Sequence, residues 1–182
     1  RKQGDKQILD IGQNMAGWLR IRIKGQAGDS IRLRFAERLQ PDGEIFTKNL
    51  RDAHCTDIYV VSGREPQDAT WAPRFVYHGF RYVEISGYPN AKTEDFTAEV
   101  VDDEMAHTGT FTCSDETLNQ VLRNAFWGIR SNYKGMPVDC PQRNERQPWL
   151  GDHAMGSWGE SLFFNNHALY NNCLLYTSPS PR

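Results

Sequence analysis

Apolar and charged side chains alternate over much of the N-terminal half, and this pattern limits the fold more than any other feature. Residues 19–24 alternate apolar side chains with cations, and residues 31–35 repeat the pattern. Successive side chains of a strand point to opposite faces of its sheet, so a period of two marks strands with one buried and one solvated face. The first part of the chain is therefore predicted to be a β domain.

Further strands are expected where short apolar runs lie between turn signals. The candidate segments are residues 57–61, 74–77, 80–86 and 96–101. Turn signals such as Pro41-Asp42-Gly43 separate them. Short strands at this spacing, with no helical segment between them, are typical of a sandwich or a barrel. We predict an antiparallel β-sandwich.

Near residues 102–104 the pattern changes from strand-like to helical. Ser114 is predicted to cap a first helix, because Ser is a favoured cap and acids follow it in the first turn. This helix should end near residues 132–135, and a second should run from about residue 153 to 168, where the small residues Ala154, Gly156 and Gly159 would allow close helix packing. Apolar residues at helical spacing form one face of the first helix: Leu118, Val121, Leu122, Ala125, Phe126 and Ile129.

Composition excludes several classes of protein. The formal net charge of -2 argues against a polyanion binder, so no nucleic-acid partner is expected. No apolar run approaches the ~18 residues of a membrane span, so no membrane partner is expected either.

The cysteines lie far apart without a Cys-x-x-Cys pair, so neither a metal site nor a disulfide framework is predicted. No cofactor is predicted. No signal peptide is visible, which slightly favours the cytoplasm, although the chain opens on Arg1 rather than Met and its true start is expected upstream.

Chemistry concentrates in residues 139–152. This segment holds the carboxylates Asp139, Glu145 and Asp152, two arginines and Trp149. Carboxylates beside an aromatic platform are typical of a sugar site, because acids bond hydroxyls or move protons and an indole stacks on the apolar face of the ring. A surface loop with solvated ion pairs is the alternative that the pattern alone leaves open.

The segment resembles the signature of the bacterial α-L-rhamnosidases, the family 78 glycoside hydrolases. That motif runs Asp-Cys-Pro, a variable residue, Arg, an acidic pair or similar, Arg, and a Trp-x-Gly-Asp close behind. The matching positions here are Asp139, Cys140, Pro141, Arg143, Glu145, Arg146, Trp149, Gly151 and Asp152. Upstream segments such as Asp10-Ile11-Gly12-Gln13-Asn14 and Tyr77-His78-Gly79-Phe80-Arg81 are similar to the β-sandwich that precedes the family's catalytic barrel. The resemblance covers about residues 8 to 170.

The resemblance implies an (α/α)6 barrel that hydrolyses terminal α-L-rhamnose with inversion, so the expected partner is a rhamnose-containing oligosaccharide or glycoside. It makes Glu145 the general acid. It implies that Asp139, Arg143 and Asp152 bind rhamnose hydroxyls. It also implies that Trp149 lines the sugar pocket. The sequence departs from the signature motif at two places. Asn144 stands where many members have an acid, and Gln147-Pro148 stands where Leu-Gly is common.

The resemblance also suggests a division of the chain. Residues 1–104 are expected to form a concanavalin-like β-sandwich, and residues 105–172 the first helices of a truncated six-hairpin barrel. Residues 173–182 are expected to form a non-native tail, because residues 174–182 break the helical character abruptly and resemble translated adapter or vector sequence; a natural Ser/Pro linker is the alternative. The family places its general base later in the barrel, and Glu160, the acid that follows Asp152, is interpreted as structural. The chain is therefore expected to be inactive by itself.

Two other functions remain open at this level. One is a non-catalytic carbohydrate-binding β-sandwich with a helical extension, and the other is a lyase or phosphorylase on a similar barrel. Of the remaining candidates, His78 is interpreted as a packed or hydrogen-bonded histidine. Trp158 is a weaker candidate for the pocket wall.

Overall fold

The computed structural model describes residues 2–3 and 6–177. The described strands are β1 (Lys2–Gln3), β2 (Lys6–Arg22), β3 (Ser30–Ala36), β4 (Arg38–Leu39), β5 (Ile45–Phe46), β6 (Thr56–Val60), β7 (Thr70–Trp71), β8 (His78–Ser86) and β9 (Phe96–Val100). The helices are α1 (Glu116–Ser131), α2 (Leu150–Ser161) and α3 (His167–Thr177). The chain forms two compact units. The first, the β unit, ends at Val101 and also includes Gln142–Asn144; the second, the helical unit, comprises Asp102–Pro141 and continues from Glu145.

The β unit is built on one seven-stranded antiparallel sheet, which confirms the predicted antiparallel β domain. The strand order is β1-β2-β8-β3-β6, and β7 and β9 also pair with β2, whereas β4 and β5 form a separate two-stranded sheet. The alternation in β3 has the predicted effect: Ile31, Leu33 and Phe35 are buried while Ser30 and Arg32 are exposed.

Strand β2 is much longer than its alternating segment indicated. It begins at Lys6, pairs with β8 along its first part and with β9 along its last part, and shifts register between Asp10 and Met15. At Gly17 a Cβ atom would lie 1.9 Å from the carbonyl oxygen of Glu99, so the close approach of β9 requires glycine there.

A buried polar pair lies within the core of the β unit. The imidazole of His78 stacks on Phe35, with ring centroids 4.2 Å apart, and its Nε2 lies 3.0 Å from Oδ1 of Asp57. Both polar side chains are more than nine-tenths buried. The structure thus gives His78 the packed, hydrogen-bonded environment that we expected.

The strand predicted at residues 74–77 is wrong. Residues 74 and 75 form a bend, and 76 and 77 carry no regular structure. Phe75 has φ +59° and a fully exposed side chain. A positive φ turns the chain away from an extended course, and an exposed phenylalanine contributes nothing to a buried face.

Helix α1 begins one residue later than predicted. Its N-cap is Asp115 rather than Ser114, because the Asp115 carboxylate accepts hydrogen bonds from the backbone N–H groups of Thr117 and Leu118. The helix ends at Ser131, close to the predicted end.

The second predicted helix is two helices, α2 and α3, with a break at residues 162–166. In the break the backbone pairs with residues 106–108: Thr108 N–H donates to Phe163 O, and Asn165 N–H donates to Ala106 O. The close packing expected at Gly159 is not found, because a Cβ there would meet no described atom within 4 Å. None of the described helices combines the length and apolar character needed to cross a bilayer.

Helix α3 continues to Thr177. The break in helical character that was expected to begin at residue 174 is therefore not found at residues 174–177. Residues 178–182 lie outside the described part of the chain.

Candidate functional site

The predicted site residues lie on and after the long connection between α1 and α2, here called the signature loop (residues 132–149). Two hydrogen bonds between Asp139 and Gln147 close its central part. The Asp139 N–H donates to Gln147 O at 3.0 Å, and the Gln147 N–H donates to Oδ1 of Asp139 at 2.8 Å. The seven residues between them are thereby held in a closed turn whose shape does not depend on a helix or a strand.

The turn brings Asp139 and Glu145 together. One carboxylate oxygen of each and the Sγ of Cys140 all lie within 4.8 Å of one another. Cys140 is buried, its thiol lies 3.5 Å from Oδ2 of Asp139, and Oε2 of Glu145 has almost no exposed surface. A thiol and two carboxylates are groups that zinc accepts, so this cluster is also where a cation would fit; the absence of a metal stays a prediction.

Trp149 and Asp152 lie at the start of α2. Trp149 is the N-cap residue and is 52% exposed, and an indole at the surface can stack on a sugar ring. Asp152 is exposed in the first turn, where the helix dipole favours a negative charge. Asp152 lies outside the cluster formed by Asp139, Cys140 and Glu145. The structure therefore brings two of the predicted acids together and leaves the third on the helix.

Arg143, the remaining predicted site residue, is half-buried in the segment Gln142–Asn144, which belongs to the β unit. Two hydrogen bonds join this segment to early loops of the β unit. The Cys55 thiol donates to the carbonyl oxygen of Gln142 at 3.0 Å, and the Asn144 amide donates to the Asp52 carboxylate. The sequence analysis missed both contacts, because the partners lie 87 and 92 positions apart and no local pattern indicates them.

A buried polar cluster joins the start of the signature loop to helices α2 and α3. Glu160 on α2 accepts hydrogen bonds from the hydroxyls of Tyr133 and Tyr170, and its Oε1 lies 3.9 Å from Nδ1 of His153. Burial raises the pKa of Glu160, but the His153 imidazole beside it and the hydrogen bonds from the two tyrosines outweigh burial and hold this pKa below its ordinary value. Burial raises the pKa of both tyrosines. These contacts support the structural interpretation of Glu160.

The helical unit also carries an open apolar groove of about 730 Å³. Among its lining residues are Phe111, Leu122, Ile129 and Leu162. The apolar faces nearby remain solvent-exposed: Leu118, Val121 and Trp158 are 51%, 53% and 84% exposed. Trp158 does not line this groove, and its place in the pocket wall stays a prediction. The groove contains none of the predicted site residues.

Comparison with known proteins identifies relatives along almost the whole chain. Residues 1–102 match the bacterial alpha-L-rhamnosidase concanavalin-like domain, and residues 106–179 match the bacterial alpha-L-rhamnosidase 6 hairpin glycosidase domain. A curated alpha-L-rhamnosidase from Formosa agariphila is 40% identical over 166 residues, which cover 90% of this chain and 18% of that protein. One from Streptomyces avermitilis is 44% identical over 146 residues, covering 80% of this chain and 14% of that protein.

A solved structure extends the likeness to three dimensions. The Streptomyces avermitilis alpha-L-rhamnosidase complexed with L-rhamnose superposes with a TM-score of 0.91 and 38% sequence identity, over 95% of this chain and 17% of that one. The chain spans between 14% and 18% of the length of these relatives.

Proposed function

This chain belongs to the bacterial α-L-rhamnosidases, and on that premise we propose that the whole protein hydrolyses terminal non-reducing α-L-rhamnose from rhamnosides with inversion. The observation that carries the proposal is the closed turn of the signature loop, which holds the carboxylates of Asp139 and Glu145 within 4.8 Å of each other. The related enzyme of known structure is complexed with L-rhamnose, which supports rhamnose as the sugar.

Glu145 is the proposed general acid. Its carboxyl group is half-buried with one oxygen shielded from water, and in its protonated form it would transfer a proton to the glycosidic oxygen as the bond to the anomeric carbon breaks. The leaving alcohol departs with that proton. Water attacks the opposite face of the sugar and loses its own proton to a second carboxylate.

Asp139 does not suit the role of that second carboxylate. An inverting hydrolase holds its two carboxyl groups about 6.5–9.5 Å apart so that water fits between them, and the Asp139 and Glu145 oxygens are closer than this. One Asp139 oxygen is also engaged by the Gln147 N–H. Among the described residues we assign no base, and we still predict that this chain alone does not turn over rhamnosides.

The remaining site residues would bind the sugar. Asp139 and Asp152 can accept hydrogen bonds from rhamnose hydroxyls, and Arg143 can donate to them. The exposed indole of Trp149 can stack on the apolar face of the ring. Each of these residue roles is part of the proposal.

Glu145→Gln in the whole protein tests the general acid. Glutamine keeps the shape but has no transferable proton, so kcat on a poor leaving group should fall about 10²–10⁴-fold. An aryl rhamnoside with a good leaving group needs less protonation and should be hydrolysed with a smaller loss. Glu104→Gln, an exposed acid of the same unit, is the matched control. Activity of Glu145→Gln within tenfold of wild type on the poor leaving group would refute the assignment.

The stereochemistry is tested separately. Proton NMR of the first product should show β-L-rhamnose, because a single displacement inverts the α-linked anomeric carbon. Initial formation of the α-anomer would indicate a retaining double displacement, with a carboxylate nucleophile near the acid.

A further inference from the structure

We propose that the β unit contains positioning residues for the reaction. Asp52, Cys55 and Gly79 hold the segment Gln142–Asn144 in place. This contact fixes the position of Arg143 and of the backbone that leads into Glu145. The inference rests on the proposed function of Glu145 and adds to it a role for residues of the β unit. The three seating residues and the segment are called the loop seat below.

The tightest contact of the loop seat is at Gly79. A Cβ atom there would lie 2.9 Å from Cβ of Gln142 and 3.0 Å from its backbone nitrogen. Gly79 lies in β8, which is hydrogen-bonded to β2 on one side and β3 on the other, so the strand cannot easily move aside. The segment thus packs directly on the backbone of a central strand, and any side chain at position 79 would lift it.

The second contact is the hydrogen bond from Cys55 to Gln142. Cys55 is buried, and its own carbonyl oxygen accepts a hydrogen bond from the N–H of Phe35 in β3 at 2.9 Å. Its φ of +40° is one that L residues rarely adopt. A residue held in such a conformation is fixed by its surroundings, so the thiol offers the Gln142 carbonyl a rigid donor.

The third contact explains a departure from the family signature. The Asn144 amide donates to the Asp52 carboxylate, whereas an acid at position 144, as the signature commonly has, would place two carboxylates against each other. Like charges in contact repel, so asparagine fits this partner. The pair is exposed, and substitutions in it do not threaten the core.

Together the three contacts hold both ends of a three-residue segment. Arg143 lies between the held residues, and Glu145 follows Asn144 directly in the chain. A displacement of about 1 Å at a catalytic group can cost on the order of 10²-fold in rate. Loss of the seat should therefore lower kcat, while binding of rhamnose by groups elsewhere in the site is affected less.

The test is a charge swap in the whole protein, assayed for kcat and KM on a poor leaving group. Asn144→Asp should lower kcat about 10- to 100-fold, and Asp52→Asn should lower it less, since two amides can still form a hydrogen bond. The double variant Asp52→Asn/Asn144→Asp restores an amide facing a carboxylate and should recover most of the lost kcat. Asn90→Asp, an exposed asparagine in another loop of the β unit, is the matched control.

A second arm uses steric fit. Gly79→Ala should lower kcat by a similar factor, and adding Gln142→Gly, which removes the nearest clashing atom, should recover part of it. Gly128→Ala, where a Cβ meets no described atom within 4 Å, is the control.

Glu145→Gln, measured in parallel, separates the two proposals. If it retains activity, the proposed function fails. If it is inactive while Asn144→Asp and Gly79→Ala keep wild-type kcat, or if the charge swap does not rescue, the loop seat is refuted and the proposed function stands.

Discussion

Replacing Glu160 by glutamine should loosen the start of the signature loop and its attachment to α2 and α3. The Glu160 carboxylate accepts hydrogen bonds from the hydroxyls of Tyr133 and Tyr170. A hydrogen bond to a charged group contributes about 1.5–3 kcal/mol, against about 0.5–1.5 for a neutral one. Losing the charge at two such bonds should therefore lower the free energy of unfolding of this region by about 2–3 kcal/mol.

The effect should depend on pH in a defined direction. The pKa of Glu160 lies below its ordinary value, despite the burial that raises it, because the His153 imidazole lies beside the carboxylate and Tyr133 and Tyr170 donate hydrogen bonds to it. A lowered pKa contributes stability that is present above the unfolded pKa of about 4.3 and is lost as the pH falls through the folded pKa. Glu160→Gln should lack this acid-sensitive contribution.

Hydrogen–deuterium exchange of the 182-residue chain measures both effects locally. Peptides from residues 132–138 and 150–170 should exchange faster in Glu160→Gln, whereas peptides of β3 and β8 serve as an internal reference. Glu104→Gln, an exposed acid in the same unit, should leave exchange unchanged. Opening free energies within about 0.5 kcal/mol of wild type in the helical peptides, the usual range of surface substitutions, would refute the reasoning, as would equal acid sensitivity of the two proteins.

Two further predictions concern ligand binding and pH. Asp139→Ala and Asp152→Ala should weaken L-rhamnose binding and slow turnover together in the whole protein, since each leaves sugar hydroxyls without an acceptor; unchanged calorimetric affinity in both would mark them as structural acids. Burial lowers the pKa of Lys134 to about 8, so the folded chain binds this proton less tightly than the unfolded chain, and the free energy of unfolding should rise from pH 8 towards the unfolded pKa of about 10.4. Lys134→Met should remove this rise in urea titrations, and an unchanged slope would contradict it.

Local sequence patterns predicted a strand correctly where one face of it is buried along its whole length. The alternation at residues 31–35 is found in β3, because one face of that strand is buried throughout. The strand expected from the apolar run at residues 74–77 is absent, because Phe75 is exposed to solvent at a positive φ. A short apolar run does not by itself reveal whether a second strand lies beside the segment.

The sequence pattern also failed to predict that the second helix is divided, because the division depends on a contact with a distant segment. Phe163 and Phe164 continue an apolar run that is typical of a helix, but the backbone there pairs with residues 106–108. The choice of Asp115 over Ser114 as the cap is a matter of one residue, and both side chains are suited to it.

The signature motif named two acids that the structure brings together, but it did not indicate what surrounds them. The spacing of Asp139 and Glu145 agrees with the closed turn in which their carboxylates meet. The loop seat was missed, because Cys55 and Gly79 carry no sign of their distant partner Gln142. Contacts between residues far apart in sequence are set by the fold as a whole.

The discontinuity of the β unit has a consequence for how such proteins recombine. The matched domains end at residue 102 and begin at residue 106, which makes that junction the obvious crossover point between homologous genes. Yet residues 142–144 belong to the β unit, so a crossover there would combine the Gly79 strand of one parent with the Gln142 segment of the other. The unit that should be inherited together is therefore the β domain and three residues encoded about forty codons downstream. Chimaeras that carry both parts from one parent should keep activity more often than those that divide them.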